Sequence, residues 1–254
     1  MVELMSSAGT LAKGCLRTLV VAGAALAMSA ALARAADMPG YPPSLEYGPP
    51  PTYVSSGWYL RGDIGGHWGL LTGAESARFF PDPTNSSLGS GLTYGFGVGI
   101  KSDWLRTDFT FDYMAPLKYQ GTVATPGDTT AKIQAAAALI NGYIDLGTWR
   151  RFSPYIGAGA GLAYARVYDY ASTGAPPFFG DTSNDQWKFA FAGMAGIGVA
   201  ISPNAMLDVG YRYLNIGDVR TGRDALGAMT FRNVAAHQVR IGLRWSFDDT
   251  GHPQ

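Results

Sequence analysis

Cysteine is nearly missing from this sequence. The single example, Cys15, precedes an N-terminal apolar run, so the rest of the chain has no thiol, no disulfide and no cysteine-based metal site. Charged residues make up 15%, against about 25% in soluble globular chains. Beyond residue 35 the only glutamates are Glu46 and Glu75, and lysine is scarce too. The straight-chain charged residues that cover helix surfaces are therefore wanting. The apolar run from Leu19 to Leu32 stops short of the roughly twenty residues a spanning helix needs. What is abundant is glycine, at 34 residues, and aromatics, at 13%. The chain is composed for strands.

The N-terminus reads as a signal peptide over residues 1–35. Lys13 and Arg17 precede the apolar run, which closes on Ala33-Arg34-Ala35, an A-x-A cleavage site. The expected mature chain starts at Ala36, and about 220 residues remain, enough for one barrel or one to two ordinary domains. Sixteen basic and 18 acidic residues survive cleavage, a balance with no nucleic-acid footprint. Residues 36–56 hold six prolines; proline lacks the donor a ladder needs, so this stretch is expected to be an extended periplasmic arm.

From residue 57 to 247 the apolar signal has period two and recurs eight times, in segments long enough for a tilted membrane strand of about nine to eleven residues. In the first, Trp58, Leu60, Ile64, Trp68 and Leu70 oppose Arg61, Asp63 and His67. Leu92 to Ile100 then alternates with glycine. Leu105, Phe109, Phe111 and Tyr113 oppose Arg106, Asp108 and Asp112. The fourth segment ends in Ile140, Ile144 and Leu146 against Asn141, Tyr143 and Asp145, with Lys132 and Gln134 at the parity of its apolar face, which places them above the membrane or past a bulge. The fifth sets Ile156 to Tyr164 against Gly157, Gly159 and Gly161; the sixth sets Phe189, Phe191, Ile197, Val199 and Ile201 against alanine and glycine. Leu207, Val209, Tyr211 and Tyr213 oppose Asp208 and Arg212. The last segment aligns Val239, Ile241, Leu243, Trp245 and Phe247 against Arg240 and Arg244.

Short turns at 101–103, 147–153 and 202–204 alternate with long loops expected near 71–90, 115–131, 170–186 and 216–233. That is the connection pattern of an outer-membrane barrel, with both termini in the periplasm and a polar tail at 248–254. A soluble ligand-binding barrel is the structural rival, and it would turn its apolar residues inward. Eight strands leave too little room for so many Leu and Phe side chains inside, whereas Gly, Ala, Arg and Asp fit a narrow lumen. Reversing the last strand would also expose Arg240 and Arg244 to hydrocarbon, at about 2 to 4 kcal/mol each near the midplane. The fold class is therefore all-β, a transmembrane antiparallel up-and-down barrel of eight strands. Aromatics support it by clustering at both strand ends: Trp58, Trp104, Trp149, Tyr155, Trp245 and Phe247 at one, Trp68, Tyr113, Tyr164, Trp187 and Tyr213 at the other.

Four stretches, Gly57-Trp58-Tyr59-Leu60-Arg61-Gly62-Asp63-Ile64-Gly65, Pro154 to Gly161, Leu207 to Tyr213 and His237 to Phe247, resemble the opacity-protein-like outer-membrane surface antigens. These form the small porin family of alphaproteobacteria, and the resemblance spans 57 to 247. It implies an eight-stranded barrel in the outer membrane of a Gram-negative cell envelope, inserted by the assembly machinery, which recognises a C-terminal strand ending in an aromatic residue. Val239 to Phe247 matches that strand, although here seven residues follow Phe247.

A search for chemistry returns structural readings. No Ser lies two residues after His67, His237 or His252, as a His-x-Ser lipid-deacylase pair would require; His67 and His237 are expected at the barrel rim. Asp181, Asn184 and Asp185 lack calcium-loop spacing, and Gly95 to Gly99 lacks the order of a dinucleotide site. No catalytic, cofactor or metal site is expected. The inward faces instead carry five arginines (Arg61, Arg106, Arg212, Arg240, Arg244) and five aspartates (Asp63, Asp108, Asp112, Asp145, Asp208). Antiparallel pairing predicts Asp208 beside Arg244 and Arg212 beside Arg240, with Arg61 and Asp63 in the same cluster. The sequence thus predicts a structural, surface-interacting barrel with a lumen closed by charge. A narrow pore for small solutes ranks second and a lipid-modifying enzyme third. Outer-membrane lipid, lipopolysaccharide and the assembly machinery are the expected partners; the loops carry no motif that names another.

Overall fold

A strand that is apolar on one face and small or charged on the other must place those faces in different media. The computed structural model describes residues 56–75, 82–123, 127–172, 183–222 and 228–247. The expected signal peptide, all but the last residue of the proline-rich arm, and the tail 248–254 lie outside the described residues. Within them every regular element is a strand: β1 (Ser56–Leu70), β2 (Gly73–Glu75), β3 (Thr84–Leu88), β4 (Ser90–Ser102), β5 (Leu105–Val123), β6 (Gly127–Asp145), β7 (Phe152–Ser172), β8 (Asn184–Ala200), β9 (Ala205–Arg220) and β10 (Thr230–Ser246).

Eight of these, β1 and β4 to β10, pair with their sequence neighbours, all antiparallel, and β10 returns to β1 from Tyr59↔Ser246 to Leu70↔Ala235. The sheet is a closed barrel. Trp58, Phe96, Phe109, Ile140, Phe189 and Ile241 stand on its outer wall, with Ile140 70% exposed. Charged and small residues face inward, as the alternation predicts. The tight β4–β5 turn is closed by Asp103 at φ 47°, a left-handed conformation that Asp tolerates better than most residues.

The strands run to 21 residues, about twice the length expected, and consume much of what reads as loop. Residues 115–123 and 127–131 pair as the stem of a β5–β6 hairpin, and the first loop holds β2, paired to β10, and β3, paired to β5. The reason is a second, apolar storey of the lumen above the charged one. Tyr119, Ile133, Val167, Val219 and Phe231 are all buried inward, and alternation continued past the membrane keeps them there. In β5 the register shifts between Met114 and Leu117, where Pro116 cannot donate; the extra residue re-phases the strand so that Leu117 and Tyr119 turn inward. β6 carries no shift opposite it, and Lys132 and Gln134 stay on the outer wall above the membrane.

One seam is incomplete. The β8–β9 ladder runs from Ala200↔Met206 only to Phe191↔Asn215, although both strands continue. Gly217, at φ +71° and donating its N–H to Asn215 Oδ1 at 2.9 Å, turns β9 away while it keeps its pairing with β10. Farther up, Gln186 bridges the gap, accepting from Arg220 N at 3.2 Å and donating to Arg220 O.

Candidate functional site in the barrel lumen

The inward faces of the membrane half meet in a buried ion-pair network. Across the β1–β10 rung Arg61 stands opposite Arg244, a repulsive neighbour relation, and each guanidinium instead reaches a carboxylate elsewhere. Arg61 bonds Asp63 at 3.2 Å and Asp108 at 3.1 Å. Arg244 lies 3.4 Å from Asp208, the pairing the sequence predicts. Arg212 and Arg240 are brought together as expected, but the group joining them is Asp112, which crosses the lumen from β5 to accept from both, at 2.8 and 2.5 Å. Arg240 also bonds Asp63. Arg106 is held by Asp145 at 2.8 Å, where Lys101 joins at 3.2 Å.

Glycine makes this fit possible. A Cβ on Gly95 would lie 2.1 Å from Arg240 Nη2 and 2.5 Å from Asp112 Oδ1, so the densest part of the network occupies the space that residue leaves empty.

Parity already turns Asn141 and Tyr143 inward, but Tyr59 and Gln238 escape sequence reasoning because neither charge nor glycine marks them. Asp108 also accepts from Tyr59 Oη at 3.1 Å, Tyr143 Oη at 3.4 Å and Asn141 Nδ2 at 2.7 Å. Gln238 accepts from Arg212 Nε at 2.8 Å. Tyr155 is not part of an outer aromatic girdle: it is buried in the lumen, with Arg106 above its ring at 4.7 Å and above Tyr143 at 4.8 Å. Its parity with Gly157 and Gly159 is the signal that places it inside.

His67 and His237 are also not at the rim. His67 is buried in the lumen at the boundary between the charged and apolar storeys. His237 lies on the outer wall, hydrogen-bonded to Tyr211 and stacked on Trp68; β10 begins seven residues earlier than the alternation suggests, which carries His237 away from its end.

A polar cavity of about 30 Å³ lies among Arg61, Asp63, Tyr143, Asp208, Arg212 and Arg240, room for about two waters. Arg212, which lines it, has an Nη2 without a hydrogen-bond partner among the described residues, a donor for such a water. Above the network the apolar storey occupies the barrel around an apolar cavity of about 30 Å³ beside His67, Leu117 and Leu214, with Tyr119 packed edge-on against Phe231 at 4.7 Å between centroids and capped by Ser86 at 2.9 Å. Chemically the lumen offers a fixed set of opposed charges and, among the described residues, no nucleophile paired with a base.

Residues 21–247 match the family model described as the outer membrane protein beta-barrel domain. A Brucella suis protein is 31% identical over 286 residues, covering 92% of this chain and 99% of its own. A Rickettsia conorii protein named as a candidate adhesin is 22% identical, covering 76% of this chain and 83% of its own. The solved structure of the outer membrane protein OprG from Pseudomonas aeruginosa shares the fold at TM-score 0.52 and 15% identity, covering 77% of this chain and 98% of that one. On the family match and the closed eight-stranded wall together, this chain is a Gram-negative outer-membrane β-barrel, and it belongs to the outer membrane protein beta-barrel domain family.

Proposed function

We propose that this protein is a closed barrel that presents its outward strands and loops for surface interaction and passes no steady current of ions. The observation that carries this reading is the double filling of the lumen: five arginines and five aspartates in ion pairs below, and a packed apolar storey from Met114 to Phe231 above. An ion moving along the axis would have to break buried pairs and then cross an apolar layer, where desolvation is costly. Strands of up to 21 residues exceed what the bilayer requires, and the surplus stands on the outside, where a partner can meet it. The adhesin designation of the Rickettsia relative favours the same use.

A narrow pore for small polar solutes is the alternative, favoured by the polar cavity beside Arg212 and Asp208. We assign no catalytic step. Recording in planar bilayers separates the two readings: the refolded protein is expected to show no sustained open level, and a stable ohmic conductance overturns the closed-lumen reading.

A further inference from the structure

Just above the membrane, three neighbouring strands carry cations on the outer wall: Lys118 on β5, Lys132 on β6 and Arg166 on β7. Lys118 and Lys132 are direct cross-strand partners, a relation in which like charges repel. Lys132 Nζ and the Arg166 guanidinium both lie over the Tyr168 ring, at 5.7 and 5.9 Å, so one aromatic ring holds two of the three cations near each other. Asp169 lies 2.8 Å from Lys132 and Asp185 lies 3.4 Å from Arg166. Lys118 has no ion-pair partner among the described residues.

The aromatics on these strands fix the depth. Tyr113, which accepts from Gln134, and the Tyr164–Trp187 pair, 5.3 Å between centroids, stand just below the cations, as residues of a membrane interface do. The cations therefore sit at headgroup height and face the lipid. In the outer leaflet of an outer membrane that headgroup is a phosphorylated glycolipid.

We propose that Lys118, Lys132 and Arg166 form a binding site for a phosphate group of the lipid A part of lipopolysaccharide. The two lysines meet its oxygens as point charges and Arg166 adds planar donors. The bound phosphate supplies the negative charge that Lys118 lacks, and it shares Lys132 with Asp169. This rests on the outer-membrane location and not on the closed-lumen reading.

The test uses the chain refolded into phosphatidylcholine nanodiscs with bis-phosphorylated lipid A, dephosphorylated lipid A or neither, with binding measured by native mass spectrometry and melting by the shift between folded and heated gel bands. Phosphorylated lipid A is expected to bind and to raise the melting temperature. Lys118→Gln with Lys132→Gln is expected to weaken binding by roughly twenty-five-fold, about fivefold for each lysine near the surface, while Lys118→Arg retains it. In nanodiscs without lipid A, Lys118→Gln should melt no lower than the parent because a repulsion is removed, which separates loss of binding from loss of fold. Equal binding of dephosphorylated lipid A, or an unweakened double variant, overturns the proposal. Saturation of the site by millimolar inorganic phosphate overturns the assignment to lipid.

Discussion

Removing Asp112 is the sharpest perturbation of the lumen. Its side chain is fully buried and accepts from Arg212 and Arg240; Arg240 keeps Asp63, but among the described residues Arg212 loses its one paired carboxylate and retains Gln238. Breaking a buried pair from one side costs about 3 to 5 kcal/mol, and the waters that the adjoining 30 Å³ cavity can admit should hold the loss for Asp112→Ala near the lower end, about 3 kcal/mol. Arg212→Ala strands less charge, since Asp112 still has Arg240, and should cost about 2 kcal/mol. With both removed, no lone charge is left at this site, so the double variant should fall short of the sum by about 2 kcal/mol, within the usual range for residues in contact. Equilibrium urea unfolding in thin phosphatidylcholine vesicles, followed by tryptophan fluorescence and by the folded gel band, gives the cycle. Additivity within about 0.5 kcal/mol would refute the claim that these two groups form one buried unit.

Three other outcomes are expected. Gly95→Ala should be destabilising although it adds a single methyl group, because that carbon would meet Arg240 and Asp112; unfolding midpoints equal to the parent's would show that the network yields easily. Among backbone amides, those of 187–190 and 216–219 that point across the open β8–β9 seam should exchange faster than those of Phe191–Ala200 in the paired part, and uniform protection would mean that the seam is closed in the membrane. A cysteine at exposed Ser87 should react with a membrane-impermeant thiol reagent on intact cells while one at Ser102 or Asn204 should not, and the opposite pattern would invert the topology.

The alternation of large apolar residues with glycine, arginine and aspartate decided the wall by itself. Period two leaves one choice per strand, and eight strands' worth of Leu, Ile and Phe fits only the lipid side. The sequence also named every acidic and basic side chain of the five Arg–Asp sets, since inward parity is a local property; Lys101, at the strand end, lay beyond it. Partners were a different matter. Asp208 and Arg244 lie on sequence-adjacent strands and could be paired from the antiparallel register, but Asp112 meets Arg212 and Arg240 across the lumen. That depends on barrel radius, strand tilt and the space left at Gly95, none of which one strand encodes. Strand ends were equally hidden, because the apolar storey that carries β5, β6 and β7 past the membrane uses alanine, tyrosine and valine in patterns that also read as loop. The turn of β9 at Gly217 and the facing of Lys118 and Lys132 likewise emerge only when neighbouring strands set the register. Local alternation fixed which medium each residue faces; closure of the barrel fixed which residues it faces there.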